Sequence, residues 1–310
     1  MRLLITGASG LLGLNLALEA IKNHQVIGVD RSHLTGLPFE LVSADLLERD
    51  AVDQVLDILQ PDWLIHCAAL ANLEACEADP ELARCLNASL PGDLAAACKV
   101  RAVKMVHIST DAVFDGNKAG RFTEDDKVNP LSLYAKTKFQ GEQAVLSANP
   151  DAIVARVNFY GFSLNGKRSL AEFFINHLIV GDVVKGFSDV TFNPTFVGDL
   201  ADLLLGMLEK DLRGIYHTAS AEVMSKYAFG VLLARRFKWD ESLISPASIE
   251  RSGLTARRAH NLGLSVDKLS TALDGSIPTF STGLDRFYAQ FQHGYPQKIR
   301  SYQQGLAAPV

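Results

Sequence analysis

The sequence predicts an α/β fold built on a doubly wound parallel sheet, and three observations lead to this prediction. Short apolar runs alternate with longer amphipathic runs through the first half of the 310-residue chain. A glycine-rich turn directly follows the first apolar run, at residues 7–13. Later apolar runs end in small or polar residues, as expected where parallel strands deliver side chains to one edge of a sheet.

The strands and helices of the N-terminal half are predicted in a definite order. We expect strands in "RLLITG", "QVIGVD", "FELVSAD", "DWLIHCAA" and "VKMVHIST". We expect helices in "LNLALEAIKN", "AVDQVLDILQ", "DLAAACKV" and the stretch around "LYAKTKFQGE". In such a sheet, ligands bind beyond the carboxyl ends of the strands. The residues that follow each strand are therefore the candidate site residues.

The composition indicates a globular protein with a sizeable core. Hydrophobic residues make up 48% of the chain and charged residues 21%, and the net charge of −5 gives no reason to expect nucleic acid or an anionic membrane as a partner. The first glycine comes too soon for a signal peptide and no apolar run would span a bilayer, so we expect a cytoplasmic protein. Neither the four cysteines nor the eight histidines have ligand spacing, so no metal site is expected.

The glycine-rich turn has the spacing G-x-x-G-x-x-G between a predicted strand and a predicted helix. Glycines there allow a tight turn and let the backbone and the helix N-terminus approach a pyrophosphate. A dinucleotide-binding loop is therefore favoured over a purely structural turn. Its residues are Gly7, Gly10, Leu11, Leu12 and Gly13.

The end of the second strand bears on which cofactor binds. Asp30 would accept hydrogen bonds from the adenosine ribose, which favours NADH and repels a 2′-phosphate. Arg31 follows directly and would instead pair with that phosphate of NADPH, unless it is a solvated loop charge. The sequence leaves the choice between NADPH and NADH open.

Two further strand ends are predicted to contact the cofactor. Asp45 and Leu46 follow the third strand and would flank the adenine, although an aspartate that caps the next helix is the competing interpretation. Ala68 and Ala69 end the fourth strand, where small residues let the backbone pass close to a ligand. Tight core packing would explain the two alanines equally well.

The helix after the fifth strand carries a tyrosine and two lysines. Residues four apart share a helix face, whereas residues two apart point in nearly opposite directions. Lys138 therefore lies one turn from Tyr134, and Lys136 points away from both. A functional pair would be Tyr134 with Lys138, and the competing interpretation is a tyrosine on an amphipathic helix with surface lysines.

Taken together, these features resemble the extended short-chain dehydrogenase/reductases, from residue 3 to about residue 290. The nearer resemblance is to dTDP-4-dehydrorhamnose reductase and related nucleotide-sugar reductases. It rests on the stretches "AALANLEACEADPELARCLNA" (68–88), "STDAVFDG" (109–116), "KTKFQGE" (136–142), "NPTFVGDLADLL" (193–204), "GIYHTAS" (214–220) and "RRAHNLGLSVDKL" (257–269).

The resemblance implies a role for each of three side chains. Thr110 would hold and polarise the substrate carbonyl, and Tyr134 would donate a proton to its oxygen. Lys138 would bind the nicotinamide ribose and lower the pKa of the tyrosine, since a free tyrosine titrates near pH ~10 and an ammonium stabilises the phenolate. The implied activity is reduction, by NADPH or NADH, of the 4-keto group of a nucleoside-diphosphate 4-keto-6-deoxy sugar.

The substrate end is where the sequence departs from the family pattern. The resemblance implies that Asp111 and Phe159 contact the sugar and that Arg258 binds its diphosphate; a turn-capping aspartate and a surface ion pair are the alternatives for Asp111 and Arg258. Alanine stands at positions 71, 112 and 259, where threonine, tyrosine and proline are usual, and Phe159 stands near the position of a usual tryptophan. The particular sugar is left open.

The resemblance also implies two parts that interleave in sequence. Residues 1–155 would form a Rossmann domain that also receives segments near 190–215, and residues 156–310 a smaller α/β substrate lobe. A homodimer is left open. Two other functions are compatible with this scaffold: a nucleotide-sugar epimerase or dehydratase, or a non-catalytic subunit resembling the methionine adenosyltransferase beta subunit. Ala112 after Asp111 counts against a dehydratase, which usually carries an acidic pair there.

Overall fold

The strands and helices of the first half follow the order that the sequence predicts. The computed structural model describes residues 1–251, 253, 257–275 and 277–303, so the end of the predicted substrate lobe, 304–310, lies outside the described residues. The strands are β1 (Arg2–Thr6), β2 (Gln25–Asp30), β3 (Glu40–Ser43), β4 (Trp63–His66), β5 (Lys104–Thr110), β6 (Ile153–Val157), β7 (Phe159–Tyr160), β8 (Val184–Phe187), β9 (Thr191–Phe192), β10 (Thr195–Phe196), β11 (Gly214–Thr218), β12 (Met224–Ser225) and β13 (Ile244–Ala247).

The helices lie between these strands and, in the second half, follow them in groups. They are α1 (Leu11–Ala20), α2 (Ala51–Leu59), α3 (Leu73–Ala78), α4 (Pro80–Arg84), α5 (Leu90–Val100), α6 (Leu133–Ala148), α7 (Leu170–Leu178), α8 (Val197–Glu209), α9 (Lys226–Phe237), α10 (Asp267–Ala272), α11 (Phe280–Gln292) and α12 (Tyr295–Ser301). A π-helical segment, Cys85–Ser89, joins α4 to α5, and a 3₁₀ turn, Asp111–Val113, follows β5. The sequence did not predict α3, α4 or the π-helical segment.

A parallel sheet forms the centre of the molecule. In the described part of the chain it has seven strands in the order β11-β6-β5-β4-β1-β2-β3. Strands β2 and β3 follow one another on one side of β1, and the next strand, β4, pairs with β1 on its other side. This reversal is the topological switch point, beside which such sheets bind their ligands. The predicted doubly wound parallel sheet is confirmed.

Apolar residues cover the sheet on both faces, which is why its strands read as continuous apolar runs. Alternate residues of a strand point to opposite faces. Leu3 and Ile5 of β1 therefore belong to one apolar cluster, and Leu4 to the other. All three side chains are at most 1% exposed. Burial on both faces fixes the sheet position of β1 and hence of the glycine loop that follows it.

Segments from the second half of the chain complete the sheet. Strand β11 pairs in parallel with β6, with Gly214 beside Ile153, and helix α8 packs against α1. The predicted boundary at residue 155 falls inside β6, all of which belongs to the sheet. The remaining short strands pair as β7 with β10, β9 with β12 and β8 with β13. That these small sheets form a substrate lobe stays a prediction.

A buried ion pair joins α6 to the sheet. Arg156 on β6 donates from Nε and Nη2 to the two carboxylate oxygens of Glu142, at 3.0 and 2.8 Å. Ser109 on β5 donates to the same carboxylate at 2.5 Å. The charged side chains are at most 2% exposed, so neither is solvated by water. The bidentate geometry therefore fixes where α6 lies along β5 and β6.

No helix in the described ranges is long and apolar enough to cross a membrane. Within the same ranges, no group of three or more His, Cys, Asp or Glu residues is arranged to hold a metal ion. The four cysteines, Cys67, Cys76, Cys85 and Cys98, are free thiols.

Replacing Glu142 with Gln should lower the free energy of unfolding by about 3–5 kcal/mol, because it leaves the charge of Arg156 buried without a counter-charge. Urea denaturation at neutral pH measures the loss. The control is Glu81→Gln, which removes an exposed pair with Arg84 at 2.6 Å and should cost less than about 1 kcal/mol. Equal losses in the two variants would contradict the importance assigned to the buried pair.

Candidate active site

A continuous cleft crosses the carboxyl ends of β1, β2, β4 and β5. It consists of two cavities, which we name after Tyr134 and Asp30, with volumes of about 340 and 540 Å³. The two cavities share the residues Gly7, Gly10, Cys67, Ala69 and Arg168. The cleft therefore passes over the glycine loop at the switch point. The Tyr134 cavity forms one end of the cleft and the Asp30 cavity forms the other.

The glycine loop has the shape that a pyrophosphate needs. Gly7 has a φ of +68°, and a Cβ there would lie 2.7 Å from the Ala68 nitrogen. A Cβ on Gly13 would lie 2.2 Å from the carbonyl oxygen of Gly7. Gly10 precedes α1 and has no side chain to cap the first N–H groups of the helix. These groups and the helix dipole favour an anion, so the loop fits a dinucleotide cofactor.

The Asp30 cavity brings together the residues predicted for the adenosine end. It is lined by Asp30, Arg31, Asp45, Leu46, Ala68 and Ala69. The Asp30 carboxylate accepts hydrogen bonds from Ser9 N at 2.9 Å, Ser9 Oγ at 2.8 Å and Ser32 N at 2.9 Å. Most of its acceptor capacity is therefore used within the protein, which the sequence did not indicate.

Arg31 lies at the rim of the same cavity. Its guanidinium is 3.7 Å from the carboxylate of Asp45, and the Arg31 side chain is 62% exposed. Asp45 also accepts from the backbone N–H of Leu47, within its own loop. Both members of this weak pair remain accessible to a ligand in the cavity.

Tyr134, Lys138 and Thr110 meet in the Tyr134 cavity, as the sequence predicts. Thr110 is the last residue of β5, and Tyr134 lies in the first turn of α6. Ser132 caps this helix by accepting from the N–H of Ala135 at 3.2 Å. Lys138 is buried one turn further along, and Lys136 is exposed on the other side. The predicted helix register is confirmed.

The pKa of Tyr134 shifts in the direction opposite to the sequence-based expectation. Burial raises the pKa of the phenol to about 12, although a hydrogen bond with Thr110 lowers it in part. Burial also lowers the pKa of the Lys138 ammonium to about 8. In this site burial therefore has a larger effect on the phenol than the neighbouring ammonium, and Tyr134 keeps its proton at neutral pH.

Two stacked histidines lie behind Lys138. The Lys138 ammonium is 3.4 Å from Nε2 of His107, whose ring stacks on that of His66 at 5.4 Å between centroids. Thr6 Oγ1 is 2.7 Å from Nδ1 of His66. Burial lowers the pKa of both imidazoles far below the ordinary value, so they are neutral. Because an ammonium can only donate, His107 Nε2 accepts a hydrogen bond from the Lys138 ammonium and orients it.

Asp111 is buried at the boundary of the site, at the start of the 3₁₀ turn that follows β5. Thr110 Oγ1 is the capping acceptor, for the N–H of Ala112 at 3.2 Å. Asp111 accepts from Asn158 Nδ2 at 2.6 Å and from the Thr110 hydroxyl at 3.1 Å. Burial raises its pKa to about 6. That Asp111 contacts the sugar stays a prediction.

A third cavity, of about 200 Å³, lies on the far side of Thr110 and Tyr134 from the glycine loop. We name it after Lys226, which lines it together with Asp111 and Arg258. Arg258 forms an ion pair with Glu74 at 3.0 Å. Phe159 lines the Tyr134 cavity instead. The three predicted substrate residues thus lie around Thr110 and Tyr134, but not in a single cavity.

Several residues of the site were not predicted from the sequence. Asn158 directly follows β6, so it could have been predicted, because site residues in such sheets follow the carboxyl ends of the strands. His107 and Cys67 lie in or beside predicted strands, but nothing in their spacing distinguished them from core residues. Arg168 and Lys226 come from the irregular second half, where no periodicity indicated which side chains point to the cleft.

The fold and site define a nicotinamide-cofactor-dependent oxidoreductase of the extended short-chain dehydrogenase/reductase class. The determining features are the switch-point cleft, the glycine loop, and the meeting of Thr110, Tyr134 and Lys138. The chain belongs to the family described as RmlD substrate binding domain, which matches residues 1–293.

Named relatives in this family differ in what their names say they do. The chain is 32% identical over 293 residues to a probable low-salt glycan biosynthesis reductase of Haloferax volcanii, covering 93% of this chain and 97% of that protein. It is 32% identical over 309 residues to dTDP-4-dehydrorhamnose reductase of Mycobacterium tuberculosis, covering 92% and 96%. It is also 32% identical over 304 residues to methionine adenosyltransferase 2 subunit beta of Danio rerio, covering 94% and 91%.

A solved structure confirms the fold over nearly the whole chain. It is the dTDP-4-dehydrorhamnose reductase of Bacillus anthracis in complex with NADP, with a TM-score of 0.83 and 26% identity. The match covers 93% of this chain and 99% of that one.

Asp111 should make the stability of the protein decrease as pH rises. The folded pKa of about 6 lies above the ordinary 3.8, so the folded state binds the proton more tightly. At about 1.4 kcal/mol per pKa unit, and with the unfolded carboxyl already partly ionised at pH 4, wild type should lose about 2 kcal/mol relative to Asp111→Asn between pH 4 and 7. Urea denaturation across this range measures the difference.

The control is Asp115→Asn. Asp115 accepts from Asn117 N at 2.9 Å and Asn129 Nδ2 at 2.9 Å, and these bonds lower its pKa below 3.8. The stability that ionised Asp115 contributes should therefore be lost as pH falls, which is the opposite direction. The free energy of unfolding of wild type should approach that of Asp115→Asn only below about pH 3.8. A difference for Asp111→Asn that does not change with pH would contradict the raised pKa.

Proposed function

We propose that this chain uses NADPH or NADH to reduce the 4-keto group of a nucleoside-diphosphate 4-keto-6-deoxy sugar. The observation that carries the proposal is the meeting of Thr110, Tyr134 and Lys138 in a cavity continuous with the glycine loop. The relative of M. tuberculosis and the structure from B. anthracis, both named dTDP-4-dehydrorhamnose reductase, support the class of substrate.

The residues of the cleft would hold the cofactor along its length. The glycine loop would bind the pyrophosphate, the Asp30 cavity the adenosine end, and Lys138 the nicotinamide ribose. The reduced nicotinamide, when bound, supplies a hydride to the keto carbon.

Tyr134 and Thr110 would act on the keto oxygen. With a pKa of about 12, the Tyr134 phenol is protonated at neutral pH and serves as a general acid. Thr110 would donate a hydrogen bond from its hydroxyl to the same oxygen, after turning away from Asp111, to which it donates in the structure. Lys138, which His107 orients, would stabilise the phenolate left on Tyr134 once its proton has moved.

Substrate selection is assigned to the Lys226 cavity and to Phe159. Arg258, held by Glu74, would bind a phosphate of the nucleoside diphosphate, because a guanidinium fork matches phosphate oxygens. Phe159 would pack against the sugar ring from the Tyr134 cavity. Asp111 and Lys226 lie between these two contacts and would face the sugar hydroxyls.

A second function, a non-catalytic cofactor-binding subunit, is favoured by one observation. The chain is as similar to the methionine adenosyltransferase 2 subunit beta of Danio rerio as it is to the reductases, at 32% identity. The two functions differ in what Tyr134 is for. In a reductase the phenol is required for turnover, whereas in a binding subunit it only lines the cofactor cleft.

The test is a screen of nucleoside-diphosphate 4-keto-6-deoxy sugars for oxidation of NADPH or NADH, with wild type and Tyr134→Phe side by side. Loss of general-acid catalysis should lower turnover by about 10²–10⁴-fold, while cofactor affinity stays nearly unchanged. Cofactor binding without turnover of any sugar by wild type would reject the reductase and favour the subunit. Turnover by Tyr134→Phe close to that of wild type would remove Tyr134 from the mechanism.

The two lysines of α6 form a matched pair for a second test. Lys138 has a pKa of about 8 and is charged below it, so stabilisation of the phenolate should be lost as pH rises through that value. Wild-type turnover should therefore decline above about pH 8. Lys138→Ala should bind the cofactor more weakly, turn over slowly and lack this decline, and Lys136→Ala should resemble wild type. A decline that persists in Lys138→Ala would assign the titration to another group.

A further inference from the structure

Arg168 is the cation that both cavities of the cleft share. It lines the Tyr134 cavity and the Asp30 cavity together with Gly7, which follows β1, and Cys67, which follows β4. It also lines a neighbouring cavity of about 400 Å³, formed in part by Ser9, Ser32 and His33. Lys138 reaches only the first of these cavities, and Arg31 only the second. The middle of the cleft, over the glycine loop, therefore has Arg168 as its cationic side chain.

The segment that carries Arg168 is held firmly by hydrogen bonds. The carboxylate of Glu172 accepts from the N–H of Arg168 at 2.9 Å and from both N and Oγ of Ser163, each at 2.7 Å. Ser169 caps α7 and donates to the carbonyl oxygen of Gly161 at 2.7 Å. Glu172 is 2% exposed. The backbone at Arg168 is therefore fixed, and only its side chain extends over the cleft.

The guanidinium itself has no protein partner in the described ranges. Within residues 1–251, 253, 257–275 and 277–303, it takes part in no hydrogen bond, ion pair or stacking contact. The other arginine that lines either cavity of the cleft in the described ranges, Arg31, pairs with Asp45 at 3.7 Å. An exposed arginine without a partner is ordinary on an open surface, but this one projects from a fixed backbone into a cleft that fits an anion.

We propose that Arg168 binds the cofactor pyrophosphate and closes the cleft over the glycine loop. The loop supplies N–H groups and a helix dipole but no charged side chain, and a pyrophosphate carries two negative charges. A guanidinium on the opposite wall completes the site by forming charge-assisted hydrogen bonds to the phosphate oxygens. The proposal depends on the proposed function only for the dinucleotide, and not for the sugar.

The position of Arg168 favours the pyrophosphate over the adenosine 2′-phosphate. A 2′-phosphate would lie near Asp30, Arg31 and Ser32, at the end of the Asp30 cavity. Arg168 also lines the Tyr134 cavity, beside Gly10 and Leu12, which is the opposite side of the glycine loop. Because Arg168 lines both cavities, it lies near the glycine loop, where the two cavities join. Because Arg168 comes from the second half of the chain, binding there also ties that half to the Rossmann sheet.

The experiment measures equilibrium binding of NADPH, NADH, ADP and adenosine to wild type, Arg168→Gln and Arg168→Lys. Loss of a charge-assisted contact to phosphate should weaken NADPH, NADH and ADP by about 10–100-fold in Arg168→Gln. Arg168→Lys should recover part of this loss, since it keeps the charge without the planar fork. Adenosine, which has no phosphate, should bind all three proteins alike, and this result also shows that the fold is intact.

The matched control is Lys167→Gln, which removes the same charge from the next residue. Lys167 is exposed and lines none of these cavities, so the affinities should stay within about 2-fold of wild type. Equal weakening in both variants would mean that only the general charge of the segment matters, and would overturn the proposal. Unchanged ADP binding by Arg168→Gln, or a loss confined to NADPH, would overturn it as well. None of these measurements depends on whether a keto-sugar is reduced.

Discussion

The site depends on one buried ion pair, because α6 carries two of its three central side chains. Glu142 lies one turn beyond Lys138 and two turns beyond Tyr134, and Arg156 and Ser109 hold its carboxylate against β5 and β6. A slip of α6 by one turn would move each side chain by about 5.4 Å and would take the phenol away from Thr110. Because α6 is fixed in this position, Tyr134 and Lys138, four residues apart in the sequence, both reach the same cavity.

A second constraint holds the same helix against the π-helical segment. A Cβ on Gly141 would lie 2.2 Å from the carbonyl oxygen of Asn87, so α6 meets the π-helical segment with its backbone. The Asn87 side chain then bonds to Thr137 at 3.1 Å and to Leu70 O at 3.0 Å. This close approach explains why the residue before Glu142 is glycine. It also explains why the preceding segment adopts an irregular helix, whose extra residue brings Asn87 to face α6.

The parts of the site that follow strand ends could be predicted, and the parts that depend on tertiary burial could not. Strand alternation placed the glycine loop, Asp30 and Thr110 on one edge, and helix periodicity distinguished Lys138 from Lys136. The direction of the Tyr134 pKa shift was missed because desolvation depends on the packing around the phenol, which a four-residue spacing does not reveal. Lys226 was missed for a similar reason: it lies 92 positions beyond Tyr134, in a segment without periodicity.

The departures from the family pattern lie on both sides of the catalytic group. Ala112 and Ala259 line the Lys226 cavity, and Ala71 and Phe159 line the Tyr134 cavity. On the wall where a tyrosine and a proline are usual, this chain therefore has two methyl groups beside the ammonium of Lys226 and the carboxylate of Asp111. Burial raises the pKa of Asp111 and lowers the pKa of Lys226, so it favours the uncharged form of each group. The wall is thus wider than in the usual pattern, and a ligand that formed hydrogen bonds to both groups would gain more there than one that filled the space with apolar atoms.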